Sequence, residues 1–341
     1  MSPKPTLSPG SLVLVTGANG YIAAQVVKQL LERGYKVRGT VRDLERSQWV
    51  LTDVFPTYAE SGQLELVVLN TVDDKDQFRA AVRGVAGVIH IASPTNLDPD
   101  PQVTIPPTIA LLLNLAKAAA AEPSVKEFVY TSTIGAATRL PPKLGFHFDG
   151  SNWNEESAAI ALAPPPYNPD RALEVYIQSK IETEKALWKF VDEDKPGFTV
   201  NAVIVCTVFG PRLHKKQNGS TSAFLLGLYN GDPFAANLFA NSSFVDVRDV
   251  ALLHVASLLD PSIKGARIPA WGPGFNWNDV LAVFRKYQPN KKFIEDIEGL
   301  GDFEATADVA QAKKALKTWG GQDDFIGLEE GVIATLEGAP L

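Results

Sequence analysis

Apolar and polar positions along the chain follow two alternating rhythms. The stretches S-L-V-L-V-T-G (11–17), Y-K-V-R-G-T-V (35–41), L-E-L-V-V-L-N (64–70), G-V-I-H-I-A-S (87–93), F-V-Y-T-S-T (128–133) and F-T-V-N-A-V-I-V (198–205) are short apolar runs, and each predicts a buried strand. Between them, apolar residues recur every three to four positions. Y-I-A-A-Q-V-V-K-Q-L-L-E-R (21–33) predicts a helix stopped by Gly34. Residues 73–83, P-P-T-I-A-L-L-L-N-L-A-K-A-A-A-A (106–121) and the stretch R-A-L-E-V-Y-I-Q-S-K-I-E-T-E-K-A-L-W-K-F (171–190) predict three more.

This alternation specifies an α/β fold, a Rossmann-type doubly wound parallel sheet. Ligands on such sheets sit beyond the carboxyl ends of the strands. Those ends are Gly17, Arg42, Asn70, Ser93, Thr133 and Cys206. After residue 205 the rhythm breaks into Pro- and Gly-rich segments such as N-G-S-T-S-A-F-L-L-G-L-Y-N-G-D-P-F (218–234). The expected division is a dinucleotide-binding domain over 1–205, with 236–262 returning to it, and a smaller C-terminal substrate-binding lobe over 206–235 and 263–341. The lobe is apolar and aromatic, which suits a pocket with few polar anchors. Phe148 and Trp153, in the loop after the fifth strand, either border that pocket or pack the loop.

Composition narrows the chemistry. The 341 residues are 45% hydrophobic and 21% charged, as in a globular protein with a substantial core. A net charge of -7 without a basic run argues against nucleic-acid partners and against docking on an anionic membrane. A single cysteine, Cys206, excludes an internal disulfide and a cysteine zinc cluster. The four histidines are scattered, so no metal site is expected. No signal peptide and no apolar run of about 18 residues is evident, which points to the cytoplasm and to no membrane span.

T-G-A-N-G-Y-I-A (16–23) spaces Gly17, Gly20 and Ala23 between a strand and a helix, the context of a phosphate-binding turn. Gly17, Asn19, Gly20, Tyr21 and Ile22 are its candidate cofactor contacts, at a helix N-terminus that favours negative charge. An NAD site carries an acidic residue about 20 positions on. This chain has Arg42 there, with Arg46 in the following turn, and arginine suits a ribose 2′-phosphate. Asn70 either meets the adenine edge or is a simple turn asparagine. Ile91, Ala92 and Ser93 end the fourth strand, where small residues let the backbone pass a ribose. Ser222 either binds phosphate or caps a helix. Tyr176 and Lys180 lie four apart on one helical face, either a phenol activated by a cation or a chance surface spacing.

Together T-G-A-N-G-Y-I-A, G-V-I-H-I-A-S-P, F-V-Y-T-S-T, Y-I-Q-S-K and F-V-D-V-R-D-V-A (244–251) resemble the extended short-chain dehydrogenase/reductase superfamily. P-G-S-L-V-L-V-T-G-A-N-G and F-N-W-N-D-V-L-A-V-F-R-K place the chain near the dihydroflavonol reductase-like branch, beside fungal NADPH-dependent aldehyde and ketone reductases. The resemblance implies Tyr176 as proton donor and Lys180 as its activator, lowering the phenol's pKa and holding the nicotinamide ribose. It implies a hydroxyl at the third position of T-S-T, which is Thr133 rather than Ser132. It also implies that Asn114 holds a water near Lys180, and that Val205 and Cys206 stand where relatives often carry a proline facing the nicotinamide. The partner is then a small-molecule carbonyl compound, and the protein a monomer or homodimer. A tightly bound NAD in a nucleotide-sugar epimerase or dehydratase, or a non-catalytic NADP-binding regulator, would keep the same fold.

The cofactor reading makes one quantitative prediction. kcat/KM is larger with NADPH than with NADH, and Arg42→Ala narrows the preference by roughly tenfold or more, the value of a hydrogen bond to a charged group. Steady-state kinetics with both cofactors check it, and a preference for NADH contradicts it.

Overall fold

The computed structural model describes residues 3–94, 97–217 and 219–338. Seven parallel strands form the main sheet: β1 (Leu12–Val15), β2 (Lys36–Val41), β3 (Leu64–Val68), β4 (Gly87–His90), β5 (Glu127–Thr133), β6 (Thr199–Val205) and β7 (Arg267–Ala270). Their spatial order is β7-β6-β5-β4-β1-β2-β3. The chain runs outward from β1 through β2 to β3, then crosses back to β4 on the other side of β1. The switch point therefore lies between β1 and β4, and a crevice opens above it. Helices cover both faces, so the strands are apolar almost throughout rather than alternating.

The six strands expected from the sequence are present, five of them trimmed by one to three residues and β5 extended by one to Glu127. The seventh is a finding of the structure. R-I-P-A carries a proline, which cannot donate to a ladder and argues against a central strand. Pro269 is tolerated because β7 is an edge strand, paired only with β6. Ile263, Ile268, Ala270 and Trp271 join the sheet's core, as do Ala312, Ala315 and Leu316 of the helix Ala310–Gly320. The segment 263–341 is thus shared between the sheet and a second core, not given wholly to the lobe.

That second core gathers Phe209, Leu225, Tyr229, Phe244, Phe275, Trp277, Phe284 and Val332. It forms around a small sheet of Thr207–Phe209, Asn241–Asp246 and Gly274–Asn276. The indole of Trp277 is fully buried and donates to the Phe239 carbonyl at 2.9 Å, which satisfies its only polar atom.

The helix predicted from Pro106 starts earlier, at Pro101, and runs to Ala120. Asp100 caps it by accepting from the Gln102 N–H at 2.8 Å. Pro106 and Pro107 lie inside it and remove two ladder hydrogen bonds. The carbonyls left over belong to Gln102 and Val103, two exposed residues open to water. With its added turn this 20-residue helix is long and apolar enough to cross a membrane, which the shorter segment was not. Here it buries Leu112, Leu115, Ala116 and Ala119 against the sheet and packs along the helix Ala172–Asp194.

Candidate active site

The turn after β1 is built for close approach. Gly17 has φ +69°, a conformation that favours glycine, and a Cβ there would stand 3.3 Å from the Cβ of Ala92. A Cβ on Gly20 would stand 3.0 Å from the Gly17 carbonyl oxygen. Gly20 precedes the helix Tyr21–Glu32, which has no side-chain cap and no acidic residue in its first turn. Its leading N–H groups are thus left for an external acceptor, the arrangement that binds a pyrophosphate. Ala23 is buried, allowing the helix to lie close to the sheet.

Thr16, a residue the sequence reading passed over, organises the crevice. Its hydroxyl oxygen accepts from the N–H groups of Ile91 at 2.9 Å and Ala92 at 3.0 Å. Its proton is therefore directed to Nδ1 of His90, at 2.9 Å. His90 is buried and pushed down to about 3 by desolvation, with the nearby Lys180 charge acting in the same direction, so it stays neutral. One side chain thus fixes the top of β1 to the top of β4 and sets the backbone of Ile91 and Ala92. The neighbouring Ser93 hydroxyl is buried with no partner among the described residues. An orphaned hydroxyl beside a glycine turn fits a bound dinucleotide.

The other candidates around the turn have defined partners. Asn19 donates to the Ser47 hydroxyl at 3.1 Å, tying the glycine turn to the segment after β2. Tyr21 turns its ring inward and donates to the Gly210 carbonyl at 2.8 Å, so only its backbone faces the crevice turn. Ile22 is half-buried. Ser222 donates to the Gly219 carbonyl at 3.1 Å within its own helix turn. It also packs close to Tyr21, since a Cβ on Gly219 would meet both.

Arg42 is exposed at the end of β2, with no ion pair among the described residues. Arg46 is exposed too and lies 3.5 Å from Asp43. Asn70, exposed at the end of β3, is held by Gln77, which accepts from its backbone N–H at 3.1 Å and donates to its Oδ1 at 3.2 Å. Its amide nitrogen remains free to donate. His214 stacks on Trp49 with ring centroids 4.3 Å apart and lies 3.3 Å from Asp53. That contact bridges the segment after β2 to the loop after Phe209.

On the catalytic side, Tyr176, Lys180, Glu184 and Trp188 recur at four-residue steps along one face of Ala172–Asp194. The Lys180 ammonium donates to the Thr131 carbonyl at 2.7 Å and sits 4.5 Å above the centroid of the Tyr130 ring. Burial pulls Lys180 down to about 7, and Glu184 opposes that shift. Burial raises the Tyr176 pKa. This corrects the expectation that Lys180 lowers it: burial is the cause of the shift, and the phenol stays protonated.

The three hydroxyls of T-S-T separate cleanly. Thr131 donates to Nε2 of His254 at 2.8 Å, because Nδ1 of that ring carries its proton toward the Val250 carbonyl at 2.7 Å. Ser132 donates to the Glu184 carboxylate. Thr133 only accepts, from the Gly135 N–H at 3.3 Å, so its own proton is free among the described residues. Gly135 packs directly on Ile177, next to Tyr176. The structure therefore brings Thr133, Tyr176 and Lys180 to one end of the sheet.

Asn114 makes no direct bond to Lys180 among the described residues. Its amide donates to the Val72 carbonyl at 2.7 Å, beyond β3, while Lys180 is anchored on Thr131. The bond to Val72 is the structural polar contact that a half-buried amide in an apolar helix requires. Val205 is buried opposite Thr133 in the β5–β6 register. Cys206 turns its thiol to the Ala270 carbonyl at 3.1 Å. Phe148 is buried and stacks on Trp271 with centroids 5.3 Å apart, as loop packing.

A parallel sheet with a glycine turn at its switch point and a Tyr-Lys pair on a crossover helix defines a dinucleotide-dependent short-chain dehydrogenase/reductase. The chain belongs to the NAD dependent epimerase/dehydratase family, whose model matches residues 13–267. It is 40% identical over 332 residues to Aldehyde reductase 2 of Sporidiobolus salmonicolor, covering 96% of this chain and 95% of that protein. It is 36% identical over 340 residues to the Ketoreductase adrE of Penicillium rubens, covering 96% of each. Among solved structures, Gre2 of Candida albicans in complex with NADPH shares the fold at a TM-score of 0.81 and 24% identity, covering 96% of this chain and 98% of that one.

The Cys206 environment predicts an inert thiol. Burial pushes it up to about 12. Iodoacetamide at pH 8 leaves the native protein unlabelled and alkylates Cys206 once the chain is unfolded, as mass spectrometry would read. Rapid labelling of the native protein contradicts this.

Proposed function

We propose that the chain is an NADPH-dependent reductase of small aldehydes and ketones, with Tyr176 as proton donor, Lys180 as its charged neighbour and Thr133 as a second hydroxyl donor. The observation that carries this reading is the Lys180–Thr131 bond. It sets the Tyr176 helix against the end of β5, so that a protonated phenol and the one uncommitted hydroxyl of T-S-T stand together. The relatives named as aldehyde reductase and ketoreductase match over almost the whole chain and support the same reaction class. For the cofactor, support comes from the Gly17–Gly20 cradle, the unpaired Arg42 and the orphaned Ser93 hydroxyl.

When bound, the dinucleotide supplies a hydride at its nicotinamide ring. The backbone of Gly20, Tyr21 and Ile22 would hold its pyrophosphate, and Arg42, with Arg46 beside it, would hold the 2′-phosphate. Asn70 would offer an amide to the adenine. Ile91, Ala92 and Ser93 line the crevice floor, and Val205 and Cys206 present backbone at the opposite end. As the carbonyl carbon of the substrate accepts the hydride, its oxygen gains negative charge. Thr133 donates a hydrogen bond to that oxygen, and Tyr176 donates a hydrogen bond and then its proton. The product is the alcohol. Burial favours this direction, because it keeps the phenol protonated until charge develops beside it. Lys180 then faces a phenolate, which its ammonium stabilises.

NADPH oxidation against aliphatic aldehydes, aryl ketones, β-keto esters and dihydroflavonols tests the proposal. Turnover is expected with at least one class. Tyr176→Phe is expected to lower kcat by about 10²-fold or more while leaving NADPH binding intact. Thr133→Ala is expected to lose about 10²-fold and Thr133→Ser far less. NADPH binding without turnover of any class, or full turnover in Thr133→Ala, contradicts the assignment.

A further inference from the structure

Behind the Tyr-Lys pair lies a buried ionic cluster that the reaction as written does not use. Glu184 is fully buried, and its carboxylate is saturated with donors: Nε of Arg267 at 2.7 Å, Nη2 at 3.4 Å, the Ser132 hydroxyl, and the Trp188 indole at 3.1 Å. Arg267 comes from the edge strand β7. Its Nη1 donates to the carbonyls of Gly150 at 3.0 Å and Asn152 at 2.7 Å, and its guanidinium stacks 4.0 Å from the Trp153 ring centroid. Trp153 in turn packs in the small apolar cluster that includes Tyr176, Ile177 and Ile181. Four parts of the fold meet at this pair: the Tyr176 helix, the end of β5, β7 and the loop after β5.

A buried ion pair is costly to form and is weak evidence for stability alone. Here each partner is spent on alignment. Ser132 on Glu184 and Thr131 on Lys180 are adjacent bonds from one strand end to one helix face, and together they fix the helix against β5 in both position and rotation. Thr133 is the next residue along.

We propose that Glu184 and Arg267 are positioning residues for carbonyl reduction: Glu184 holds Lys180 charged and in register beneath Tyr176, and Arg267 carries that alignment to the Trp153 loop on the substrate side. This rests on the reductase reading above. The groups facing Lys180 are His90 from β4, Tyr130 from β5 and Glu184 from its own helix, with Tyr176 one turn away on the same helix face and Arg267 of β7 behind Glu184 on its carboxylate. The helix Pro101–Ala120, packed alongside, has one ionisable residue, Lys117, and that is exposed. His90 is neutral and both phenols stay protonated, so Glu184 is the one anion in the set. Without it the Lys180 ammonium titrates at lower pH.

The experiment is the pH dependence of kcat/KM with NADPH in the parent, Glu184→Gln, Glu184→Asp, and the double variant Glu184→Gln/Arg267→Met. The double variant removes both charges at once and leaves neither buried unpaired. The parent is expected to lose activity as pH rises through about 7, where Lys180 deprotonates. Glu184→Gln is expected to shift that limb at least about one pH unit toward acid, the double variant to shift it the same way by less because the opposing Arg267 charge goes too, and Glu184→Asp to restore most of it. A merely structural role would lower activity at every pH and leave the limb in place. That outcome, in either folded variant, overturns the proposal. The same titration followed by ¹³C NMR of lysine-labelled protein, with Lys180→Arg assigning the signal, needs no turnover. An unmoved Lys180 signal there overturns the inference whether or not the reductase reading stands, and an absent turnover in the parent overturns only that reading.

Discussion

The site depends on where the end of β5 meets the helix Ala172–Asp194. Two neighbouring bonds set that meeting, Lys180 on the Thr131 carbonyl and Ser132 on Glu184. Each uses a group that would otherwise be a liability: a buried ammonium and a buried carboxylate, both costly without partners. Once they are satisfied, little freedom remains. The helix cannot rotate without stranding Lys180, and the strand cannot slip without stranding Glu184. Tyr176 and Thr133 inherit their positions from these bonds.

The cofactor side rests on a matching economy at the other end of the crevice. The Thr16 hydroxyl takes two backbone N–H groups from β4 and gives its proton to His90, so one small side chain fixes the strands that flank the switch point. With β1 and β4 fixed, Gly17 and Gly20 leave space where any larger residue would meet Ala92 or the turn itself. The two halves of the site are linked through β4, because His90 stacks on Tyr130 with ring centroids 6.0 Å apart and Tyr130 lies under Lys180.

What could be read from the sequence follows from how local each signal is. The strands, the glycine turn and the Tyr176–Lys180 spacing each lie within a single element or one turn, so periodicity exposes them. The seventh strand did not show because R-I-P-A is short and carries a proline that only an edge position tolerates. Arg267 and Glu184 are 83 residues apart in sequence, and neither has a motif around it. One signal was available: Glu184 continues the four-residue step from Tyr176 through Lys180. The partner of Asn114, the Val72 carbonyl, was out of reach too, because it depends on how β3 and that helix pack. The sign of the Tyr176 shift was also out of reach, since it is set by burial that no spacing reveals.

The most direct test of the account follows the transferred hydrogen. NADPH carrying deuterium at C4 of the nicotinamide, on the transferred face, should give an alcohol with deuterium on the former carbonyl carbon. The hydroxyl proton should exchange with solvent, as required if it came from Tyr176. An alcohol without deuterium at that carbon, from either face-labelled NADPH, would contradict hydride transfer as the chemistry of this site.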